Sequence, residues 1–140
     1  MPGPKIFHKS VELTPSVNAS ITKIQFFESG RSDMELRRKR IYQGRFAQET
    51  TRTIYTEIRL AHPQVQKRTD FPVTLVCSRA DGTTFRIEEY SGRIKPGWAS
   101  SDHWIGVGYH RPGKWDADIY KVDIYMNGDK VATSYFEIYQ

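Results

Sequence analysis

The chain has 140 residues, 38% of them hydrophobic and 13% aromatic, and a formal net charge of +5. That length is enough for one domain with its own core, without the disulfide or metal staples that shorter chains need. A single cysteine, Cys77, excludes an intrachain disulfide and a multi-cysteine metal centre, and no stretch approaches the roughly 20 apolar residues of a membrane-spanning helix.

In chain order, residues 1–20 carry Pro2, Pro4 and Pro15 with little periodicity. They are expected to form an N-terminal arm or a first edge strand, leaving 21–140 as a single sandwich domain. The start has no apolar core long enough for a secretory signal, so a cytoplasmic, reducing setting is expected. Residues 24–28 look like a strand that stops at Ser29-Gly30. In the next segment, Ser32-Asp33 is able to cap a helical turn over Met34 and Leu36, though the run is short and highly charged. Ile41, Tyr42 and Phe46 suggest a second, irregular strand.

From residue 53 the alternation is clean. Ile54, Thr56, Ile58 and Leu60 share one face of a strand, and Phe71, Val73, Leu75 and Cys77 share one face of the next. This alternation makes a buried, inert Cys77 the expectation. Asp81-Gly82 reads as a hairpin turn into a strand over 84–90. Residues 91–103 read as a long loop, and 104–109 as a strand weakened or bulged by Gly106 and Gly108. Tyr120, Val122 and Ile124 then alternate up to Asn127-Gly128, a pair that supplies the positive φ angles of a type I′ turn. Ala132, Ser134, Phe136 and Ile138 alternate back. About seven or eight short strands, at roughly 8–15-residue spacing and without a long helix, read as an all-β antiparallel sandwich.

Asp116 lies four residues before Tyr120, and Val122 two after it, the spacing of the tyrosine corner in immunoglobulin-like sandwiches. More broadly, about residues 24–139 resemble uncharacterised bacterial immunoglobulin-like modules, often appended to repeat or enzyme domains. Phe26-Phe27-Glu28, Arg40-Ile41-Tyr42 with Phe46, Thr51-Arg52 and the run 54–58 carry the resemblance. So do Asp70-Phe71-Pro72, Asp81-Gly82, Trp98 before Ser100-Ser101, and Pro112-Gly113-Lys114-Trp115 leading into Tyr120, Val122, Tyr125, Gly128 and Phe136. Such modules usually carry Gly where this chain has Asp118, and Asp tolerates a left-handed backbone better than most residues. The resemblance implies an immunoglobulin-like fold and a binding or spacing role, with no assigned catalytic residue.

Residue chemistry points the same way. Ser101-Asp102-His103 sets three triad residue types side by side, but neighbours on an extended chain point to opposite faces, and no nucleophile elbow is present. The four histidines, His8, His62, His103 and His110, lack metal-ligand spacing. No catalytic residue, metal or cofactor is therefore expected. The expected role is a non-catalytic interaction or spacer module. Its surface would be a β-edge open to strand addition or the loop end holding 91–103 and 110–116, with Trp98, Ser101, Asp102, His103, Tyr109 and His110 as candidate binding residues. Trp104 and Trp115 read as core and corner packing, whereas Trp98, beside Gly97, is the aromatic expected to be exposed for stacking on a sugar face. The expected partner is a protein, including a second copy through a β-edge. Carbohydrate is the alternative, and nucleic acid or another anionic surface, held by Arg37, Arg38, Lys39 and Arg40 with Arg31 and Arg45 nearby, is disfavoured because aromatic interleaving is poor.

Overall fold

Period-2 alternation gives each strand one apolar face, and two such faces closed together make the core. The computed structural model describes residues 7–14, 17–29 and 40–140. Ten strands lie among them: β1 (Phe7–His8), β2 (Val11–Thr14), β3 (Val17–Ser29), β4 (Arg45–Ala47), β5 (Thr53–Ala61), β6 (Thr69–Ser78), β7 (Thr84–Ile94), β8 (Ser100–Gly108), β9 (Asp118–Met126) and β10 (Asp129–Tyr139). One sheet has the order β1-β10-β9-β6-β7, with β4 parallel to the end of β10; the other has the order β2-β3-β5-β8. The remaining pairings are antiparallel. The expectation of an all-β antiparallel sandwich holds. The possible helical turn at 32–36 lies outside the described residues.

Residues 7–14 join the sheets: Phe7 pairs with Thr133 in one and Val11 with Ala19 in the other. The strand expected over 24–28 is much longer, because Val17, Ala19 and Ile21 continue its buried face and a register shift between Ile21 and Lys23 separates that stretch from the rest. The irregular second strand is an isolated bridge, Phe27 to Tyr42, followed by β4.

The inward faces of β5 and β6 bury Ile54, Ile58, Leu60, Phe71, Val73, Leu75 and Cys77, as the alternation predicts. Burial pushes the Cys77 thiol up to about 12, so it stays protonated and unreactive at neutral pH. At one end of the core, Trp115 packs against Phe85 at 4.9 Å, Tyr120 at 5.0 Å and Phe136 at 5.6 Å between ring centroids. Its indole donates to the Arg52 carbonyl at 2.6 Å.

The tyrosine corner forms: the Tyr120 hydroxyl donates to the Asp116 carbonyl at 2.8 Å, and burial together with the nearby Asp116 and Asp118 pushes that phenol up to about 12. The left-handed conformation expected at Asp118 is not adopted. Asn127 is the non-glycine residue with positive φ among those described. Asp118 instead opens β9 in extended form, and its carboxylate accepts from the Ile119 and Ala80 amides at 2.7 and 3.3 Å. At the β9–β10 hairpin Asn127 and Gly128 have φ of 52° and 86°, as a type I′ turn requires. At the β6–β7 turn the Asp81 carboxylate accepts from the Thr83 amide and hydroxyl at 2.9 and 2.7 Å.

β8 carries no bulge. Its register with β5 runs unbroken from Ser100↔Ala61 to Gly108↔Thr53. The two glycines are there for close approach: a Cβ on Gly106 would meet the Tyr55 ring at 2.7 Å, and one on Gly108 would meet the Arg52 carbonyl at 2.5 Å and the Trp115 ring at 2.8 Å.

Candidate functional site

β7 ends one sheet and β8 the other, and these two edges meet on the same side of the sandwich. Between them lies an open cleft of ≈ 750 Å³, lined by Arg59, Tyr90, Ser91, Arg93, Trp98, Ala99, Ser100, Ser101, Asp102 and Trp104. Three segments converge there: the outer face of β5–β8, the end of β7, and the turn joining β7 to β8.

That turn is far shorter than the loop expected over 91–103. β7 runs to Ile94 and β8 starts at Ser100. The reason is local: Lys95-Pro96-Gly97-Trp98 is a β-turn, closed by the Trp98 amide on the Lys95 carbonyl at 3.2 Å, with Gly97 at φ 87°. Proline then glycine at the two central positions is the type II pattern. The Gly97 amide bonds the Val65 carbonyl and the His62 amide bonds the Ala99 carbonyl, at 2.9 and 3.0 Å, so the turn is pinned to the segment after β5. Trp98 is held at the rim with 41% of its surface exposed, and the Lys95 ammonium lies 5.6 Å from its ring centre.

Arg59 and Asp102 are directly opposed across β5 and β8. Arg59 Nε and Nη2 reach the two Asp102 oxygens at 2.8 and 3.3 Å, a two-pronged pair on the cleft floor. The Asp102 hydrogen bond and charge raise the Arg59 pKa further. One step along the same face, Trp104 lies opposite Glu57 and donates its indole N–H to Glu57 Oε1 at 2.7 Å. Trp104 is therefore on the outer face and half-exposed, not in the core as expected. It faces outward because Ser101, His103 and Ile105 take the inward positions of β8.

Glu57 anchors a small second core on this outer face. Its Oε1 also accepts from Arg40 Nη1 at 2.6 Å and from the Tyr42 hydroxyl at 3.1 Å. The Arg40 guanidinium lies 4.6 Å from the Phe27 ring centre and 5.0 Å from that of Trp104. Phe27 in turn stacks on Tyr55 at 5.3 Å. Arg40 keeps 7% of its side chain exposed. It is a buried structural cation, which corrects its place in the candidate basic patch; Arg37, Arg38 and Lys39 lie outside the described residues.

Beneath the cleft, Ser101 and His103 point inward and Asp102 outward, as adjacency predicts. The Ser101 hydroxyl lies 2.8 Å from His103 Nε2 and 3.3 Å from His62 Nε2, while His62 Nδ1 is 3.0 Å from the Pro63 carbonyl. A carbonyl only accepts, so His62 carries its proton on Nδ1, Ser101 donates to His62, and His103 Nε2–H donates to Ser101. His103 Nδ1 is then a bare acceptor with no partner. Among the described residues no carboxylate orients this imidazole, because Asp102 faces away toward Arg59. Convergence of His62 on Ser101 was not legible from spacing. Its sequence trace is that Ser101 pairs with Leu60, two residues before His62.

Burial between Phe71 and Tyr90 drives His103 down to about 4, against a partial opposing pull from Asp102. The unfolded chain takes up this proton near pH 6.5 and the folded chain only near 4. Below 6.5 the unfolded state thus binds more protons, so this contribution is fully present above pH 6.5 and is lost as pH falls toward 4. The full loss is roughly 3 kcal/mol. Urea unfolding at pH 7.5 and pH 4.5 measures it, and His103→Gln is expected to flatten the difference. An equal pH slope in the variant would contradict the assignment.

The six candidate binding residues do not form one site. Trp98, Ser101 and Asp102 line the cleft, and His103 is buried beneath it. Tyr109 and His110 lie beyond the far end of β8, in a separate groove with Thr53, Tyr55, Glu88, Gly106 and Gly108. The two loop regions that were expected to share one end are separated by the length of β8, about 30 Å at 3.3 Å per residue. Sequence reasoning missed Arg59 and Arg93, whose presence in the cleft follows from pairing across strands. Among the described residues no group of three or more His, Cys, Asp or Glu side chains is arranged to hold a metal ion, and no helix is long and apolar enough to cross a membrane.

This architecture is that of an immunoglobulin-like β-sandwich. An immunoglobulin-like protein (PA1606) from Pseudomonas aeruginosa is similar with a TM-score of 0.50 at 13% identity, over 90% of this chain and 100% of that one. The C-terminal domain of wzt is similar with a TM-score of 0.52 at 10% identity, over 97% of this chain and 77% of that one. At such identities the likeness concerns the fold alone. No family model matches the chain, and no curated protein matches its sequence.

Proposed function

We propose that this chain is a non-catalytic immunoglobulin-like binding module that holds a saccharide chain in the cleft between β7 and β8. The observation that carries this reading is the exposed Trp98, held at the rim of that cleft by a proline-glycine turn, above the Arg59–Asp102 pair. A sugar ring presents an apolar face edged by hydroxyls. It suits an aromatic platform beside fixed donors and acceptors. Trp104 and Tyr90 add further aromatic surface from the two facing edges. A rigid aromatic on a pinned turn loses little conformational freedom on binding.

A protein partner is the second reading, favoured by the outer edges of β7 and β8, which pair with no further strand among the described residues. Against it, β7 turns Arg86 and Glu88 toward the gap between the sheets, and inward-pointing charge on an edge strand discourages strand addition. Tryptophan fluorescence titration against a panel of soluble plant and bacterial polysaccharides tests the proposal. Trp98→Ala is expected to weaken binding about tenfold or more while leaving the melting temperature unchanged. If no saccharide perturbs the emission of the parent protein, the reading is wrong.

A further inference from the structure

We infer that the saccharide taken by this cleft is acidic, its carboxylate read by Arg93 beside Trp98; this deepens the saccharide reading above and rests on it. Among the described residues, the charged groups at the cleft are not balanced. Arg59 and Asp102 satisfy one another, with both carboxylate oxygens met by the guanidinium at 2.8 and 3.3 Å. That pair offers a ligand dipoles and lone pairs but no net charge.

Arg93 is different. It projects from β7 into the same cleft with about half its side chain exposed. Among the described residues, the carboxylate that approaches it is Asp70, and Arg93 Nε stays 3.8 Å away, beyond hydrogen-bond distance. Asp70 lies closer to Arg68, at 3.2 Å. The Arg93 fork is thus presented to solvent at the edge of an aromatic cleft, and its planar pair of N–H groups matches a carboxylate. Lys95 adds a second exposed cation on the Trp98 turn. A neutral sugar accepts hydrogen bonds from these groups but offers neither of them a counter-charge. A uronic acid residue stacked on Trp98 brings its ring carboxylate toward them, and the net charge of +5 on the chain favours encounter with a polyanion.

The test uses three probes on the intact chain: oligogalacturonate, the same oligomer with its carboxylates methyl-esterified, and neutral xylohexaose. Binding is read by isothermal titration calorimetry at low and moderate salt. The free acid is expected to bind at least about tenfold more tightly than its ester, with the advantage shrinking as salt rises. Arg93→Gln is expected to bring acid and ester to the same affinity without changing the melting temperature. Equal binding of acid, ester and xylohexaose by the parent protein would overturn the acidic preference and leave the saccharide reading standing. An acid preference that survives in Arg93→Gln would overturn the role of Arg93. Binding of none of the three would count against the saccharide reading itself, and against this inference with it.

Discussion

Replacing Glu57 with alanine is expected to destabilise the fold by about 3–5 kcal/mol, the usual cost of breaking a buried ion pair from one side. The substitution removes the one oxygen on which Arg40, Tyr42 and Trp104 converge. Arg40 would then sit between the Phe27 and Trp104 rings without the Glu57 carboxylate, and taking one partner from a desolvated charge costs more than the pair was favourable. The same physics predicts a rescue. A double variant, Arg40→Met with Glu57→Leu, is expected to recover part of the loss, because apolar side chains of similar volume remove the desolvated charge while the Tyr42 hydroxyl and the Trp104 indole N–H still lose their acceptor. Urea denaturation of the two variants beside the parent measures both effects. A Glu57→Ala loss below about 1 kcal/mol would show that the pair is solvated and weak, like an ordinary surface bridge.

Trp115→Ala is expected to cost about 3–5 kcal/mol, the range for truncating a large buried aromatic. Trp115 is 1% exposed and touches Phe85, Tyr120 and Phe136, which come from β7, β9 and β10. Its removal would leave a cavity that three separate strands must close. The Arg52 carbonyl would keep the Tyr109 amide as a partner at 3.2 Å, so the loss arises mainly from packing. Trp115→Phe is therefore expected to lose distinctly less than Trp115→Ala. Thermal and chemical unfolding distinguish the two; equal losses would mean that the indole hydrogen bond, and not volume, governs the site.

The parts of the fold legible in sequence were those governed by local rules. Alternation marked β5 and β6, where one face is buried throughout, and Asn127-Gly128 marked the β9–β10 hairpin because only such a pair accepts positive φ readily. The spacing of Asp116 and Tyr120 similarly marked the corner. What escaped was set by pairing across the sheet. Arg40 reads as one more cation in a charged run, and nothing near it in sequence shows that Glu57 lies beneath. Trp104 follows the alternation of β8, yet whether a face is inner or outer depends on what covers it. Here Arg40 and Tyr42 cover the outer one, so large aromatics occur on both. The turn at 95–98 carries its own signature in Pro96-Gly97, but β7 was expected to end at residue 90, which made a long loop of what is mostly strand. That error also merged Trp98 and His110 into one surface, although β8 holds them far apart.

The central claim is that ligand binds at the β7–β8 cleft beside Trp98. The most direct measurement is a heteronuclear NMR titration of the intact chain with oligogalacturonate, following the indole N–H signals of its three tryptophans and the backbone amides of β8. The expected result is saturable shifts at the Trp98 and Trp104 indoles and at residues 98–104, with the buried Trp115 indole unmoved. Shifts centred instead on Tyr109 and His110, at the opposite end of β8, would contradict it.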